Sequence, residues 1–460
     1  MKQARVKKPL AADAASPSPL PLRAAAMEVL RRVLDERLFL DAALARAAPR
    51  LDALAPGDRI AARRIVVTAL RRLGEIDAEI DARLAKPLPA RAGAIRHILR
   101  VAAAETAFLG GPAHAAVDAA VRQAKRVDAR LAGLVNAVSR RIAEAGPRLM
   151  DRPRLEAGRL NTPDWLWRRL CADWGEADAA RIAAAHLSQA PLDLTLNAAS
   201  ANAAPALEGA RPDADGAAWA ARLGGAVSPS GGVRLSAASD ALAALPGYAE
   251  GAWWVQDAAA ALPARLLGDV AGRRALDLCA APGGKTLQLA AAGAQVAALD
   301  LSSKRLERVR ENLSRARLEA EIIVADALTW RPAAPFERVL LDAPCSASGT
   351  IRRHPELPWI KDGAGVAALA ALQDALLDAA WAMTAPGGRM VFCTCSLFKE
   401  EAEARAEAFI ERAPEAMPVS SASVLPPEAR DADDRLRLRP CDWADRGGAD
   451  GFFAAAFDKP

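Results

Sequence analysis

Residues 275–286 have the sequence Ala275-Leu276-Asp277-Leu278-Cys279-Ala280-Ala281-Pro282-Gly283-Gly284-Lys285-Thr286. The first half predicts a short buried strand, and the second half predicts a glycine turn that opens a helix at Thr286. Because Gly283 and Gly284 have no Cβ, the backbone of such a turn can approach a ligand closely. A phosphate loop of the type G-x-x-x-x-G-K-[ST] is excluded, since Cys279 stands where its first glycine is required. The segment therefore predicts the cofactor turn of a doubly wound α/β domain, whose ligands sit at the carboxyl ends of the strands.

Strands and helices alternate through the rest of the C-terminal part. The predicted strands are 275–279, 296–300, 321–324, 338–342 and 389–394, and the predicted helices are 286–292, 302–317 and 366–383. This alternation indicates a mostly parallel sheet. Residues 435–439 and 452–457 are predicted to form a closing antiparallel pair, as at the end of a methyltransferase-type Rossmann domain. We assign residues 251–460 to this domain.

Two acidic residues follow the next two strands of the predicted sheet. Asp300 ends the second strand, where a carboxylate accepts hydrogen bonds from a ribose diol, and its structural alternative is a cap for the helix near Ser302. Asp326 follows the third strand, where an adenine amino group could be bound, and its alternative is an ordinary loop position. The glycine turn, Asp300 and Asp326 follow one another along the chain, and this order indicates S-adenosylmethionine, a cofactor that needs no phosphate-binding loop.

Two further strands end in cysteines on the same edge of the sheet. The fourth strand runs into Asp342-Ala343-Pro344-Cys345-Ser346, and the fifth into Cys393-Thr394-Cys395-Ser396. Cys393 lies inside its strand and is predicted to be a small core residue. The cysteines lack the paired spacing and neighbouring histidines that are typical of zinc modules, so we predict no metal.

A thiolate beside S-adenosylmethionine suits methylation of a pyrimidine carbon. C5 of cytosine is a poor nucleophile, but a thiolate that adds to C6 raises the electron density at C5. A carboxyl group near N3 favours this addition, which suits Asp342, and a base must then remove the C5 proton. Spacing alone does not decide whether Cys345 or Cys395 attacks.

Composition and charge indicate a second, basic module in a folded chain of 460 residues. From Arg23 to Arg148 the formal net charge is +9, although the whole chain carries only +5. A basic N-terminal part on an acidic remainder suggests a polyanion-binding module, and a solvated arginine-rich surface is the alternative. Six sparse cysteines fit a reducing cytoplasm. We find no apolar run of about 18 residues that would span a bilayer, and no signal peptide.

The N-terminal half divides into three predicted segments. Residues 1–22 are rich in Ala, Ser and Pro and are predicted to be a disordered leader. Residues 23–146 are helical throughout, in six or seven helices with breaks at 56–57, 87–89 and 110–112. Residues 147–250 are predicted to form a small α/β subdomain, with a helix that has Thr162 as its N-cap and a strand at 191–197.

Three motifs resemble the Nol1/Nop2/Sun family of RNA cytosine-5 methyltransferases. They are Asp277 to Thr286, Asp342 to Gly349, and Thr394-Cys395-Ser396. The extension at 351–356 resembles the RsmB branch of that family, which methylates small-subunit ribosomal RNA. The helical part resembles the NusB-type RNA-binding fold, notably at 133–138. The chain is thus predicted to be multi-domain: an all-α NusB-like bundle, a small α/β subdomain and an α/β Rossmann-like methyltransferase domain.

The resemblance implies a role for each candidate residue. Cys395 is the implied nucleophile, although the DNA enzymes use a cysteine in a Pro-Cys pair like Pro344-Cys345. Cys345 then assists release of the covalent adduct. The implied cofactor shell consists of Cys279 to Lys285, Asp300, Asp326 and Asp342. Asp342 therefore has two implied roles, one toward the cofactor and one toward the base.

The expected reaction is formation of 5-methylcytidine in small-subunit ribosomal RNA by a cytoplasmic, monomeric enzyme without a metal or membrane partner. Methylation of transfer RNA and a non-enzymatic RNA-binding or assembly factor stay open as alternatives. Arg352, Arg353 and His354 are candidates for holding the phosphates that flank a flipped base, with a solvated loop as the alternative. The sequence does not fix the target nucleotide or the assembly state of the substrate.

Overall fold

The computed structural model describes residues 20–89, 92–199, 216–236 and 242–460. Most of the predicted leader, residues 1–19, lies outside them. The chain divides into two compact units, Met1–Asp151 and Arg152–Pro460. The fold class predicted from the sequence is confirmed, since a helical unit precedes a unit built on β-sheets.

The first unit is a helical bundle. Its helices are α1 (Leu20–Leu34), α2 (Leu40–Arg46), α3 (Ala48–Leu51), α4 (Pro56–Arg71), α5 (Leu73–Asp81), α6 (Gly93–Ala103), α7 (Ala113–Asp128) and α8 (Ala132–Met150). The described residues of this unit thus contain eight α-helices instead of six or seven, because residues 40–51 form two short ones. Inside the bundle, a buried ion pair joins Arg23 of α1 to Glu105.

The second unit begins with two helices and a small sheet. Its first elements are α9 (Arg154–Leu160), α10 (Asp164–His186), β1 (Leu192–Leu196), α11 (Gly216–Leu223), β2 (Ala226–Val227), β3 (Val233–Leu235) and β4 (Trp253–Val255). The four strands are antiparallel in the order β2-β3-β1-β4. Since β4 lies beyond residue 250 and residues 152–460 form one compact unit, the boundary at 250 stays a prediction.

The predicted N-cap of α10 is wrong by one residue. α10 begins at Asp164 with Pro163 in the N-cap position, and the cap makes no side-chain hydrogen bond. The Thr162 hydroxyl instead donates to the carbonyl of Gly158 at 2.8 Å, at the end of α9. Thr162 therefore closes one helix and does not open the next.

The large sheet carries the candidate site. Its elements are β5 (Arg274–Leu278), α12 (Gly284–Ala291), β6 (Gln295–Asp300), α13 (Ser303–Ala316), β7 (Glu321–Val324), β8 (Phe336–Asp342), α14 (Leu357–Ile360), α15 (Val366–Met383), β9 (Thr384–Thr394), α16 (Glu403–Arg412), β10 (Met417–Val419), β11 (Leu436–Leu438) and β12 (Phe452–Asp458). The order is β10-β12-β9-β8-β5-β6-β7, and β11 also pairs with β12. β7, β6, β5, β8 and β9 are parallel, and β12 is antiparallel to β9.

Both faces of this sheet are buried, which explains the near-continuous apolar runs of its strands. Leu276 and Leu341 pack on one face with α15 and α16, while Ala275 and Leu340 pack in the core on the other face. All five parallel strands lie within two residues of the predicted ranges, except that β9 begins earlier, at Thr384. The predicted closing pair is present, as β11 against β12.

One helix, α15, has the length and hydropathy of a candidate membrane span, although its apolar sequence is interrupted by Asp374 and Asp378. Its 18 residues have a mean hydropathy of 1.4, long and apolar enough to cross a bilayer by composition alone. Half of this helix is buried inside the protein, with Leu377 and Ala380 fully enclosed beneath the large sheet. Its apolar character therefore has an explanation in core packing.

Candidate active site

The turn after β5 lies at the carboxyl edge of the large sheet. Cys279 has φ +60° and Gly283 has φ +103°, so two residues of the turn adopt positive φ. A Cβ at Gly283 would lie 3.0 Å from Val309 Cγ1, so a side chain there would require Val309 to shift. α12 begins at Gly284, two residues before the predicted start at Thr286. The turn thus presents its backbone and the N-terminus of α12 at the edge where ligands are expected.

Asp277 lies beneath this turn with one unsatisfied oxygen. Its Oδ2 accepts a hydrogen bond of 2.6 Å from Thr286, whereas its buried Oδ1 has no hydrogen-bond partner among the residues that the structure describes. Burial raises the pKa of Asp277 to about 7, although the bond from Thr286 and the charge of Lys285 oppose the shift. A buried acceptor without a donor is costly, so this position suits a ligand that supplies a donor.

Lys285 and Asp342 form an ion pair across the edge. Lys285 Nζ lies 2.8 Å from Asp342 Oδ2 and 5.0 Å from the centre of the Phe452 ring. Burial alone would lower the pKa of Lys285, but the charge of Asp342 outweighs it and the pKa is raised. Lys285 therefore stays charged, and Asp342 is held at the end of β8 with its second oxygen facing the Cys393 thiol at 3.5 Å.

The two cysteines predicted to react face each other. The sulfurs of Cys345 and Cys395 are 3.5 Å apart, and both residues are partly exposed. The contact with Cys345 and burial raise the pKa of Cys395 well above its usual value, and the charge of Asp342 adds to the shift. Cys395 is therefore a thiol at neutral pH, and its proton must leave as the sulfur attacks a substrate.

A buried hydrogen-bond network that was not predicted from the sequence joins the two cysteine loops. Glu401 accepts from the Ser346 backbone N–H at 2.8 Å and from the Ser396 hydroxyl at 2.6 Å. The hydroxyl of Ser348 lies 3.0 Å from Ser346 Oγ and 3.3 Å from Ser396 Oγ, and it accepts from the backbone N–H of Leu397. Each cysteine neighbours a serine of this network, which consequently fixes the separation of the thiols.

A cavity of about 730 Å³ opens beside these groups. Its inner wall includes Ala280, Lys285, Asp342 and Cys395, and it extends outward to α13. Cys345 is not among the residues that line this cavity. The structure thus brings together the turn, Asp342 and Cys395 around one space.

Asp300 and Asp326 lie at the same edge but do not line this cavity. Asp300 accepts from the backbone N–H groups of Ala281 at 3.2 Å and Ser302 at 2.9 Å, and Arg305 lies 3.3 Å from it. The cap of α13 itself is Ser302. Asp326 is exposed and accepts from the Leu328 backbone N–H at 2.9 Å. Their roles toward a cofactor stay predictions.

The predicted phosphate contact by Arg352 is wrong. Its side chain is buried and donates to the carbonyls of Ala449 and Gly447, at 3.2 and 2.7 Å. Arg353 does reach the cavity, but it is paired with Asp257 and Asp450. Arg352 thus braces the loop before β12. His354 lines the cavity and is half-exposed.

Asp450 is a residue of the site that the sequence did not single out. It lines the cavity with Cys395, and its Oδ2 accepts from Arg353 at 2.8 Å. Burial raises the pKa of Asp450 to about 6, against the charge of Arg353. Only its place before β12, next to the predicted final strand pair, could have drawn attention to it.

The residues present fit S-adenosylmethionine. The backbone cradle at Gly283, the unpartnered oxygen of Asp277 and the carboxylates of Asp300 and Asp342 suit a ligand with ammonium and hydroxyl donors. Across the described ranges, no three His, Cys, Asp or Glu side chains are grouped to hold a metal ion.

Models of known families match both units. The model described as 16S rRNA methyltransferase RsmB/F matches residues 264–458, and the NusB family model matches residues 21–144. Ribosomal RNA small subunit methyltransferase B of Vibrio cholerae is 36% identical over 88% of this chain and 92% of its own length. The protein of the same name from Pseudomonas putida is also 36% identical, over 95% of this chain and 98% of its own.

Solved structures show the same fold. The crystal structure of PH0851 covers 96% of this chain and 99% of its own, with a TM-score of 0.73 and 24% identity. A methyltransferase homologue from Pyrococcus horikoshii covers 68% of this chain and 99% of its own, with a TM-score of 0.52 and 24% identity. The family models and the two relatives confirm the resemblance predicted from the three sequence motifs, and the solved structures show the fold.

Proposed function

The chain belongs to the 16S rRNA methyltransferase RsmB/F family and is an S-adenosylmethionine-dependent methyltransferase, and we propose that it methylates C5 of a cytidine in small-subunit ribosomal RNA. The observation that carries this proposal is the pair of thiols 3.5 Å apart at the edge that also holds the cofactor turn. Methyl transfer to an oxygen or nitrogen does not require a thiol nucleophile, whereas methylation of a pyrimidine carbon does.

Addition of Cys395 begins the proposed reaction. Its sulfur forms a bond to C6 of the cytosine, the thiol proton passes through Asp342 to N3, and the C5–C6 double bond shifts its electrons toward C5. Asp342, held by Lys285, favours this step by a hydrogen bond at the N3 side of the ring. S-adenosylmethionine bound at the turn would supply an electrophilic methyl group to C5 and would leave as S-adenosylhomocysteine.

Elimination ends the proposed reaction. Cys345 takes the C5 proton, the C5–C6 double bond re-forms, and the bond between C6 and the Cys395 sulfur breaks. The separation of 3.5 Å between the sulfurs supports this role, because the proton to be removed sits on the carbon next to C6. That Cys395 lines the cavity supports its assignment as the attacking residue and that of Cys345 as the helper.

The helical unit is proposed to supply affinity for the RNA. Its match to the NusB family and the net charge of +9 between Arg23 and Arg148 support this assignment. The exposed cations of such a unit gain affinity by releasing counterions from the RNA backbone. All six cysteines are unpaired, which suits the cytoplasm where we place the reaction.

Methyl transfer from tritiated S-adenosylmethionine to deproteinised small-subunit RNA tests this function. Digestion to nucleosides should place the label in 5-methylcytidine, and Cys395→Ala should abolish it. Cys171→Ala, which changes a cysteine distant in sequence from both loops, serves as the control and should stay active. Label in transfer RNA only, or in another nucleoside, would contradict the proposed substrate or position.

A further inference from the structure

Among the described residues, the cavity that contains Cys395 is lined by three arginines and one lysine, and three of these four cations are already engaged. Lys285 is paired with Asp342 at 2.8 Å. Arg353 is paired with Asp257 and Asp450. Arg315 donates to the carbonyls of Tyr248 and Trp253, at 3.1 and 3.0 Å. These three therefore shape the cavity: Lys285 and Arg353 are paired with carboxylates, and Arg315 is held by two backbone carbonyls.

Arg308 is the fourth cation and differs from the others. It is exposed on α13 and lines the same cavity as Cys395. Within the described parts of the chain, its guanidinium makes no hydrogen bond or ion pair. A guanidinium offers five donors in a planar fork that matches a phosphate group. Arg308 is consequently the cation of this cavity that is ready to bind an anion.

The outer part of the cavity, next to Arg308, is distinct from the expected cofactor position. The carboxylates predicted to bind the adenosine portion, Asp300 and Asp326, do not line the cavity. With about 730 Å³, the cavity is also far larger than one pyrimidine ring. Its continuity from Cys395 to α13 leaves a path for the strand that carries the target base.

We propose that Arg308 binds a phosphate of the RNA strand adjacent to the target cytidine. This phosphate subsite belongs to the site that would methylate the cytidine, so the inference rests on the proposed function. A base must leave its stack to reach a thiol in a cavity, and the backbone on either side must then be held. Glu311, one turn further along α13, lines the same wall and repels a phosphate, which places the contact toward the Arg308 end of the helix.

α13 supplies its own control residue. Arg310 is exposed like Arg308 but lies about 200° around the helix and lines a separate groove with Phe336 and Glu321. Arg308→Gln and Arg310→Gln therefore remove the same charge from the same helix on opposite faces. If the RNA is attracted only by the net charge of the protein, both substitutions should weaken RNA binding equally. If Arg308 contacts a phosphate, only Arg308→Gln should weaken it.

The test is methyl transfer to small-subunit RNA by wild type, Arg308→Gln and Arg310→Gln over a series of salt concentrations. Arg308→Gln should raise the RNA KM roughly fivefold, with kcat and the KM for S-adenosylmethionine unchanged. The slope of log KM against log salt should fall by about 0.7, the value for one contact to a single strand. Arg310→Gln should match wild type in all of these.

Equal behaviour of the two variants, whether both impaired or both unimpaired, would overturn the proposed subsite. A raised KM for S-adenosylmethionine in Arg308→Gln would overturn it as well, by assigning Arg308 to the cofactor. Failure of wild type to methylate any RNA would instead remove the proposed function, and the inference with it.

Discussion

The carboxyl edge of the large sheet has two sides that are built in different ways. On the cysteine side, at the ends of β8 and β9, a fully buried carboxylate and three serine hydroxyls tie the two loops together. On the cofactor side, at the ends of β5 and β6, the shape comes from backbone conformation at Cys279 and Gly283. There the carboxylate of Asp277 keeps an unpartnered oxygen, and an exposed arginine lies over Asp300.

This difference follows from what each side must hold. Reacting protein atoms must be placed before the substrate arrives, so their loops are fixed by internal side-chain hydrogen bonds. A cofactor brings its own donors, so the groups that receive it need a rigid backbone and free acceptors. The two sides therefore predict different consequences of substitution.

The largest effect is expected on the cysteine side, for Glu401→Gln. The amide replaces an acceptor of the Ser346 N–H and the Ser396 hydroxyl, so the two thiols lose their fixed separation. We expect kcat to fall about 100-fold, with little change in either KM. The neighbouring Glu400→Gln, whose carboxylate pairs with Arg169, is the control and should retain kcat. A fully active Glu401→Gln would show that the network does not position the cysteines.

A pH-dependent effect is expected on the cofactor side, for Asp277→Asn. Burial raises the pKa of Asp277 from 3.8 to about 7, so the native state binds this proton more tightly than the unfolded state does. Stability from this group is therefore present at low pH and is lost as pH rises toward 7. Between pH 5 and pH 8 the wild type should lose about 2–3 kcal/mol more than Asp277→Asn.

Thermal unfolding of both proteins at the two pH values measures this loss. Asp445→Asn removes a carboxylate that is 80% exposed and should leave the pH dependence of the wild type unchanged. Parallel pH dependence of wild type and Asp277→Asn would mean that Asp277 is not a strained acceptor.

Gly283→Ala should cost about 2 kcal/mol of stability more than Gly272→Ala. Both glycines have positive φ, but a Cβ at Gly283 would meet Val309 at 3.0 Å, and a Cβ at Gly272 meets nothing within 4 Å. Denaturant unfolding compares the two variants. Equal losses would show that backbone strain alone, without close packing on α13, shapes the cofactor turn.

The smallest effect is expected for Arg305→Gln. Arg305 contacts the carboxylate of Asp300 while its own side chain is 58% exposed, and exposed ion pairs contribute roughly 0.2–1 kcal/mol. If Asp300 accepts the ribose diol, loss of this competing contact should tighten binding of S-adenosylmethionine by about two- to threefold. Calorimetry measures the change, with the exposed Lys304→Gln as the control. Weaker binding by Arg305→Gln would make the arginine a ligand of the cofactor instead.

The local parts of this edge were predictable from sequence. The strand, turn and helix at 275–286 are encoded by adjacent residues. Because the carboxyl ends of parallel strands share one edge of a sheet, the prediction also placed Cys345 and Cys395 near each other. Their separation was not predictable, because it depends on Glu401, which lies 55 residues beyond Ser346.

Arg352 illustrates why the remaining error arose. A run of basic residues beside a catalytic loop looks like a phosphate clamp, but the carbonyls that bind Arg352 belong to residues almost 100 positions away. Such tertiary partners leave no mark on the local pattern. That Arg308 has no hydrogen-bond or ion-pair partner among the described residues is equally invisible in the sequence of α13.

The division of labour between the two cysteines is tested most directly by locating the covalent RNA adduct. Cys345→Ala should accumulate a protein–RNA complex that survives denaturing gel electrophoresis, since its thiol no longer assists elimination. Mass spectrometry of the nuclease-treated complex should then find the nucleotide on the peptide that contains Cys395. An adduct on Cys345 that accumulates in Cys395→Ala, with none in Cys345→Ala, would contradict the assignment and reverse the two roles.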